Sequence, residues 1–424
     1  MVPDPRPSDR LCQVRRHSGA QRHRRFRAGE GSEVPLPEGD GGQRRGRPHP
    51  DRGPRGAAAD GDHQSPLERG GDRPVDAGEG AQSSRPRDPR GDGEGRLQDR
   101  AACRPAVIEP TERRRLGQTG LELSLLGVGG GSALIAAGEA AESVLEAAWN
   151  AGLRTFDTAP FYGVGVSERR VGRYLGRKPR DTFVLSSKVG RLIRDGKIVH
   201  DYTGDGVLSS IEESLERLGL GSIDIAYIHD VNPHTHGADY ENRFREAMDG
   251  GYQALHRLRE EGRLKAIGVG VKDWEVCLRF ARAGDFDCFM LAGGYTLLDH
   301  GSLQEFLPYC RRRDIRVVVA SPLNSGILAT GATEAARYYY AAPPPEILER
   351  TRALAGICAG HDVPLAAAAL QFPLYHPAVA GIVAGYRAPA ELDEALAHLR
   401  RPIPAALWAE LKGRGLIPAG APTP

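Results

Sequence analysis

Lysine and aromatic residues are scarce in the first part of this 424-residue chain. The chain has 57 basic residues, but its first lysine is Lys178. The first hundred residues contain one aromatic residue, Phe26, and eight leucines and valines, against 20 arginines, 17 glycines and 12 prolines. Such a stretch cannot bury enough apolar surface to offset the chain entropy lost on folding. The composition therefore predicts that residues 1–110 are disordered and that residues 111–424 hold the folded region.

Six arginines between residues 15 and 27 form a local positive cluster of the kind that contacts nucleic-acid phosphates. Phe26 is the only aromatic side chain beside them and acidic residues follow, which argues against a nucleic-acid-binding arm. A strong excess of arginine over lysine is typical of GC-rich coding sequence. We hypothesise that residues 1 to about 106 are upstream sequence read into protein from a misassigned start, which mass analysis of the native N-terminus would test.

Long hydrophobic runs are also missing. No stretch of 18 or more apolar residues occurs, which argues against a membrane-spanning helix. Residues 1–10 contain three prolines and two aspartates instead of the apolar segment of a signal peptide. No CxxC pair occurs among the six cysteines, which predicts reduced thiols in a cytoplasmic protein; they are Cys12, Cys103, Cys277, Cys288, Cys310 and Cys358.

From Leu116 onward, apolar runs of strand length alternate with amphipathic helices. The predicted strands are 123–129, 154–158, 183–189, 224–229, 264–271, 288–293, 316–321 and 379–385. The predicted helices are 140–151, 168–175, 206–218, 243–261, 273–283, 303–313, 345–361 and 389–399. This alternation predicts an α/β fold, a closed (β/α)8 TIM barrel. A doubly wound sheet is the alternative, although residues 127–132 lack the third glycine of a dinucleotide fingerprint.

Ionisable residues end three consecutive predicted strands. Asp157 ends the second, Lys188 the third and His229 the fourth, while Tyr162 follows Asp157 by five residues. In a barrel of this type the chemistry lies at the carboxyl ends of the strands. A lysine within an apolar strand needs a nearby anion, and Asp157 is its natural partner. We expect the Lys188 ammonium to lower the pKa of Tyr162 from about 10 towards 7, so that the phenol exchanges a proton while His229 orients the substrate oxygen.

In their order and strand positions, Asp157, Tyr162, Lys188 and His229 resemble the catalytic tetrad of the aldo-keto reductases. The resemblance covers about residues 114–420 and includes an opening hairpin and first strand within 116–127. It implies a nicotinamide cofactor, NAD or NADP, across the barrel mouth and hydride transfer at its C4. It also implies that Tyr162 transfers the proton.

Within that family, segments such as Ile228-His229-Asp230 and residues 293–299, 322–331 and 364–373 resemble aldose 1-dehydrogenases of the D-threo-aldose or L-fucose type and pyridoxal 4-dehydrogenase. This resemblance implies oxidation of an aldose, or of a cyclic hemiacetal such as pyridoxal, at its anomeric carbon to a lactone. The expected partner is a small sugar or aldehyde, and no protein partner is inferred. Two alternatives remain: an NADPH-dependent reductase of small aldehydes, and a cofactor-sensing protein with little turnover.

The cofactor contacts are expected after the seventh and eighth strands, where backbone amides of residues 321–326 would cradle the pyrophosphate. The resemblance adds a Gly-x-Arg segment near the adenosine phosphate. The chain departs from the family at Ala292 and Ala320, so the nicotinamide contacts must come from elsewhere, and the choice between NAD and NADP stays open. The predicted cofactor-binding residues are Ser321, Leu323, Asn324, Ser325, Gly326, Gly385 and Arg387.

Two further motifs lie near the expected barrel mouth. The spacing of His234 and His236 is a metal-ligand pattern, but other barrels carry it on strand one, so we expect no metal and interpret the pair as a polar substrate loop. Residues 338–340 are three tyrosines, which form either a wall that stacks on a sugar ring or an ordinary surface loop.

Overall fold

The computed structural model describes residues 107–424, so the prediction of disorder over residues 1–110 lies outside them except at residues 107–110, where Ile108 is buried in the core. Eight parallel strands close into a barrel and two antiparallel hairpins flank it. The strands are β1 (Arg113–Arg115), β2 (Glu122–Ser124), β3 (Leu126–Gly129), β4 (Thr155–Asp157), β5 (Val184–Val189), β6 (Arg191–Arg194), β7 (Lys197–His200), β8 (Ile225–His229), β9 (Ala266–Val271), β10 (Cys288–Ala292), β11 (Arg316–Ala320) and β12 (Val379–Ala384).

Closure of the barrel decides between the two predicted sheet architectures. The strand order is β3-β4-β5-β8-β9-β10-β11-β12, and β12 returns to pair with β3, so the doubly wound alternative is wrong. All eight predicted strands supply a barrel strand. The first is divided, because β2 pairs with β1 in a hairpin and only β3 enters the barrel. Ser124 lies at this break, where its hydroxyl donates to Leu126 O at 2.8 Å.

Each predicted helix is present, and the one predicted over residues 243–261 is interrupted by a π-helical stretch, Ala247–Tyr252. The sequence pattern does not predict three short helices, at residues 132–136, 233–236 and 327–330, or two longer ones, at residues 365–371 and 405–413. The helices are α1 (Ser132–Ala136), α2 (Ala141–Asn150), α3 (Val166–Leu175), α4 (Gly204–Leu218), α5 (Pro233–His236), α6 (Tyr240–Glu246), α7 (Gln253–Glu260), α8 (Trp274–Ala283), α9 (Phe306–Arg312), α10 (Ile327–Thr330), α11 (Pro345–Gly360), α12 (Leu365–Gln371), α13 (Pro389–Arg400) and α14 (Ala405–Gly413).

The β1–β2 hairpin contributes Leu116, Leu121 and Leu123 to the small apolar cluster inside the barrel, where they pack with strand residues such as Tyr227 and Met290. A larger apolar layer lies between the outer faces of the strands and the helices. Because the hairpin precedes β3 at its amino end, its leucines close that end of the barrel. Polar chemistry is therefore restricted to the opposite end, where the strands finish.

The four cysteines within residues 107–424 are buried free thiols, in keeping with the prediction for them. Over the same residues, no single helix is long and apolar enough to cross a membrane. The segments Pro345–Gly360 and Leu365–Tyr375 meet the length and composition requirement only as a pair, with a bend of 102° between them.

Candidate active site

Three adjacent barrel strands bring the predicted catalytic residues together. Asp157 is the last residue of β4, Lys188 the penultimate residue of β5 and His229 the last residue of β8. β5 pairs with β4 on one side and β8 on the other, so the three side chains meet at the carboxyl end of the barrel. Their exposures are 3%, 2% and 6%. Tyr162 lies half-buried in the loop between β4 and α3.

The Lys188 ammonium is held by two oxygens. Its Nζ donates to Asp157 Oδ2 at 2.6 Å and to Thr158 O at 3.0 Å. The other carboxylate oxygen, Asp157 Oδ1, accepts a hydrogen bond from Ser186 Oγ at 2.6 Å. Burial alone lowers the pKa of Lys188, but the charge of Asp157 and the neighbouring Tyr162 outweigh it, and the net direction is upward. Lys188 is therefore a cation at any physiological pH.

Tyr162 lies against both Lys188 and His229. Lys188 Nζ is 4.7 Å from the centroid of the phenol ring, and the ring is perpendicular to the His229 imidazole with their centroids 6.0 Å apart. Burial raises the pKa of Tyr162 above its usual 10.0, and the charge of Lys188 opposes this without reversing it. The expected fall in the pKa towards 7 is therefore wrong for this structure. Desolvation and the Asp157 carboxylate, which neutralises the lysine, together outweigh the ammonium.

His229 is neutral at physiological pH, because burial lowers its pKa to about 4 in spite of the carboxylate of Asp230. Its Nε2 is 3.5 Å from Asp230 Oδ2, and its Nδ1 is buried without a hydrogen-bond partner among the described residues. A neutral imidazole carries one donor and one acceptor nitrogen. His229 thus keeps one ring nitrogen without a partner, on an imidazole that packs edge-to-face against Tyr162.

A second charged pair flanks the imidazole, and sequence reasoning did not select it. Arg191, at the start of β6, pairs with Asp230 and lies over the Phe161 ring with its guanidinium carbon 3.7 Å from the ring centroid. The turn between β6 and β7 is Asp195-Gly196, with φ values of 51° and 75°. An Asp-Gly dipeptide between apolar-containing segments is a strong hairpin signal, and it would have placed Arg191 beside the site.

His234 and His236 lie in the short helix α5 rather than in a loop, and His236 contacts Tyr202 behind the site. Tyr202 Oη donates to the carbonyl oxygen of His229 at 2.8 Å and lies 3.2 Å from His236 Nε2. Within residues 107–424, no group of three or more His, Cys, Asp or Glu side chains has the arrangement of a metal site. His236 packs edge-on against the rings of His200 and Tyr202, with centroid distances of 4.6 and 5.6 Å.

The first group of predicted cofactor residues forms an unusual turn directly after β11. Asn324, Ser325 and Gly326 have φ values of 46°, 60° and 99° before α10 begins. Within the turn, the Asn324 amide donates to Ser321 O and the Gly326 amide to Leu323 O, both at 3.0 Å, so these two amides close the turn itself. Asn324 is buried, and its Oδ1 has no partner among the described residues. This oxygen can accept a bond from a hydroxyl or amide group of a ligand, whereas a phosphate has no hydrogen to give it; Ser321 and Leu323 lie in the same segment.

The second group follows the neighbouring strand β12. Gly385 lies where β12 approaches α1, and a Cβ on it would be 2.9 Å from Ala133 Cβ, so close packing alone accounts for this glycine. Arg387 donates from its Nε to Glu391 Oε1 at 2.8 Å and its side chain is 69% exposed. Because β11 pairs with β12, both groups lie on one side of the barrel mouth, while the β4, β5 and β8 residues lie on the other.

The tyrosine triplet contributes one side chain to the mouth. Tyr339 Oη donates to Gly293 O at 3.2 Å, just after β10, and Lys272 Nζ lies 5.1 Å from the centroid of its ring. Tyr339 and Tyr340 have φ values of 48° and 64°, an uncommon conformation for large side chains. Tyr339 thus lies beside the ends of β9 and β10, as the wall interpretation expects.

Comparisons with known proteins agree with this geometry. Residues 126–414 match the model of the aldo/keto reductase family. The chain is 38% identical over 340 residues to pyridoxal 4-dehydrogenase from Microbacterium luteolum, covering 73% of this chain and 99% of that protein. It is 42% identical over 297 residues to D-threo-aldose 1-dehydrogenase from a Pseudomonas species, covering 65% and 88%. The aldo-keto reductase AKR11C1 from Bacillus halodurans, in its holo form, shares the fold, with a TM-score of 0.59, 22% identity and coverage of 73% and 97%.

Proposed function

The chain belongs to the aldo/keto reductase family, and from that premise we propose that it oxidises an aldose, or a related cyclic hemiacetal such as pyridoxal, to a lactone with NAD or NADP. The observation that carries this proposal is the buried Asp157–Lys188 ion pair beside Tyr162 and a neutral His229. The names of the two curated relatives support the substrate class, since a sugar in its ring form and pyridoxal closed on its own hydroxymethyl group both present a hemiacetal carbon.

The proposed reaction removes two hydrogens from the hemiacetal carbon and its hydroxyl. Bound NAD+ or NADP+ would supply the hydride acceptor and a positive charge at the barrel mouth. Tyr162 takes the proton of the anomeric hydroxyl, and the carbon–oxygen bond becomes the lactone carbonyl. Lys188 stabilises the phenolate of Tyr162 electrostatically, and His229 hydrogen-bonds to the substrate oxygen. One proton leaves for solvent for each hydride transferred.

We propose that the turn of residues 321–326 holds the cofactor pyrophosphate, with Gly385 and Arg387 near its adenosine end. The place of this turn directly after β11 and its positive φ values support this assignment. Arg387 is engaged by Glu391, so a 2′-phosphate would have to compete with that carboxylate. Isothermal titration of NAD+ and NADP+ against the wild type and an Arg387→Met variant measures the preference. A loss of affinity confined to NADP+ identifies Arg387 as the 2′-phosphate contact.

The substrate pocket offers polar partners for a sugar. Asp230 and Arg191 retain side-chain exposures of 23% and 21% beside His229, so their outer atoms are open to hydroxyl groups at the mouth. Tyr339 adds an aromatic face on the β9–β10 side. Sugars are bound by this combination of planar polar groups and a ring face.

The direct test is a panel of both oxidised cofactors with L-fucose, D-arabinose, galactose and pyridoxal, followed by the absorbance of the reduced nicotinamide. We expect an increase with at least one substrate. Turnover only of small aldehydes with NADPH would favour the reductase alternative, and tight cofactor binding without turnover would favour the sensing protein.

The mechanism is tested by Tyr162→Phe, which removes only the phenol oxygen. We expect oxidation to fall by at least about a thousandfold, within the range that general acid–base groups contribute, while cofactor affinity changes little. Tyr309→Phe is the matched control, because its Oη donates to Ala281 O on α8, away from the barrel mouth. Full activity of Tyr162→Phe would exclude the proposed role.

We further propose a cytoplasmic location, which the four buried free thiols of the described residues support, and a folded unit that includes residues 111–424.

A further inference from the structure

Two neighbouring serines on β5 each donate a hydrogen bond to a different buried carboxylate. Ser186 Oγ donates to Asp157 Oδ1 at 2.6 Å, with a longer contact of 3.5 Å to Phe156 O. Ser187 Oγ donates to Glu168 Oε1 at 2.8 Å. Successive side chains of a strand point to opposite faces. Ser186 therefore shares a face with Lys188, whereas Ser187 points towards Glu168 on α3.

The register of the sheet explains the contact with Asp157. Asp157 and Ser186 are paired positions on the adjacent strands β4 and β5, and Lys188 follows two residues later on the same face. The carboxylate lies between them, with Oδ1 held by Ser186 and Oδ2 held by Lys188. Asp157 and Ser186 are 3% and 4% exposed, so solvent is nearly excluded from this contact.

The orientation of the carboxylate sets the direction of the ammonium. Lys188 has three N–H bonds, of which one points to Asp157 Oδ2 and one to Thr158 O. The third remains for Tyr162, whose ring centroid is 4.7 Å from Nζ. Rotation of the carboxylate about its terminal bond would draw the ammonium away from this arrangement. Of the donors seen in the structure, only Ser186 holds Oδ1 against such rotation.

Ser186 also affects the charge that Tyr162 experiences. The negative charge of Asp157 raises the pKa of Tyr162, and the positive charge of Lys188 lowers it. A hydroxyl that donates to the carboxylate places the positive end of its dipole on that charge, which weakens the negative potential at neighbouring groups. Removing the hydroxyl strengthens the influence of Asp157 relative to Lys188.

We propose that Ser186 is a positioning residue of the oxidation, whose hydroxyl orients the Asp157 carboxylate towards Lys188 and so keeps Tyr162 able to accept a proton. Ser186 acts through Asp157 and Lys188 and does not contact the substrate. The proposal rests on the proposed function, because it assigns a supporting role in the same proton transfer.

The experiment compares Ser186→Ala with Ser187→Ala in the full chain. We expect the pH profile of kcat for oxidation to move to higher pH by about 0.5 to 1 unit in Ser186→Ala, which corresponds to a loss of about 3- to 10-fold at pH 7. KM should stay near the wild-type value. Ser187→Ala removes an equally buried hydroxyl from an equally buried carboxylate, but it should leave the profile unchanged. Ser186→Thr restores the hydroxyl and should restore the profile.

Two results would overturn the proposal: a Ser186→Ala profile that coincides with the wild type, or an equal shift in Ser187→Ala. Should Ser186→Ala fail to fold, Ser186→Cys takes its place, since a thiol is a weaker donor of similar shape. The cysteine variant should shift the profile in the same direction by a smaller amount, and an unchanged profile would again contradict the role.

A second measurement separates this proposal from the proposed function. Ultraviolet difference titration of phenolate, taken between each serine background and its Tyr162→Phe counterpart, reports Tyr162 without turnover. If no sugar or pyridoxal is oxidised but Ser186→Ala still displaces this titration to higher pH, the proposed function fails and the positioning role stands. If oxidation is observed and neither the titration nor the kinetic profile moves, the positioning role alone fails.

Discussion

Tyr162 sets the pH dependence expected of the enzyme. Its phenol must lose a proton to act as a base, and burial raises its pKa above 10.0. We therefore expect the rate of oxidation to increase with pH from neutrality into the alkaline range. His229 should add no limb near its ordinary pKa, because its pKa lies at about 4. A profile of kcat/KM between pH 6 and 10 checks both statements, and a plateau already reached at pH 7 would contradict the first.

The Asp157–Lys188 pair makes a prediction about stability at the same scale. Both groups are almost fully buried, so removing one partner leaves the other charged and unpaired. Asp157→Asn and Lys188→Met should each lower the free energy of unfolding by about 3 to 5 kcal/mol. The double variant should lose clearly less than the sum of the two, because neither charge remains. Urea unfolding of the four proteins measures the coupling, and strict additivity would mean that the pair does not interact.

At the scale of elements, α3 packs against α4 with almost no space between them. A Cβ on Gly172 would lie 1.9 Å from the carbonyl oxygen of Leu218, the last residue of α4. The same region fixes the loop before α3, which carries Tyr162, and Arg217 of α4 binds Glu168 of α3 at 2.5 Å. The position of the tyrosine thus depends on how these two helices meet.

We expect Gly172→Ala to lower the free energy of unfolding by about 3 kcal/mol, because backbone must move to admit the methyl group. Gly356, inside α11, has no atom within 4 Å of its Cβ position and provides the control. Gly356→Ala should raise stability by about 0.5 to 1 kcal/mol through the entropy of the unfolded chain. Thermal and urea unfolding would compare the two, and equal effects would contradict the packing argument.

At the scale of the whole molecule, burial lowers the pKa of several histidines to about 4, among them His229, His300 and His376. Each has a pKa near 6.5 when the chain is unfolded, so below pH 6.5 the unfolded state binds more protons than the folded state. The stability that these neutral, buried histidines contribute is therefore fully present above about pH 6.5, and it is lost progressively as the pH falls towards 4.

We expect Tm to fall over this interval. His376→Asn should reduce the slope of Tm against pH, because it removes one of the groups that take up a proton on unfolding. The variant should keep the local structure, since His376 Nδ1 accepts a hydrogen bond from the Ala378 amide at 3.1 Å and an asparagine oxygen can accept the same bond. A Tm that stays constant between pH 7 and 5, or the same slope in the variant, would contradict the assignment.

Much of the fold could be predicted from the sequence. A strand covered on both faces appears as a continuous apolar run of the same length, and an amphipathic helix appears as apolar residues spaced three or four apart. Short polar elements were harder to recognise from the sequence. The strands β6 and β7 have four residues each, too few to show an alternating pattern, so only their Asp-Gly turn signals the hairpin. The helices α5 and α10 also have four residues each, too few to show a period. The division of the first strand depends on a hydrogen bond of Ser124 to the remote Thr155, which no local pattern records.

The sequence by itself determined that Asp157, Lys188 and His229 end three successive strands with Tyr162 close behind, because strand order and strand ends are local properties of the chain. Only the tertiary structure decided how these groups titrate. A pKa depends on the water and charges that surround a group from every side, so burial reversed the direction expected for Tyr162 and made His229 neutral. The same dependence on register and packing placed Ser186 opposite Asp157 and Arg191 beside Asp230.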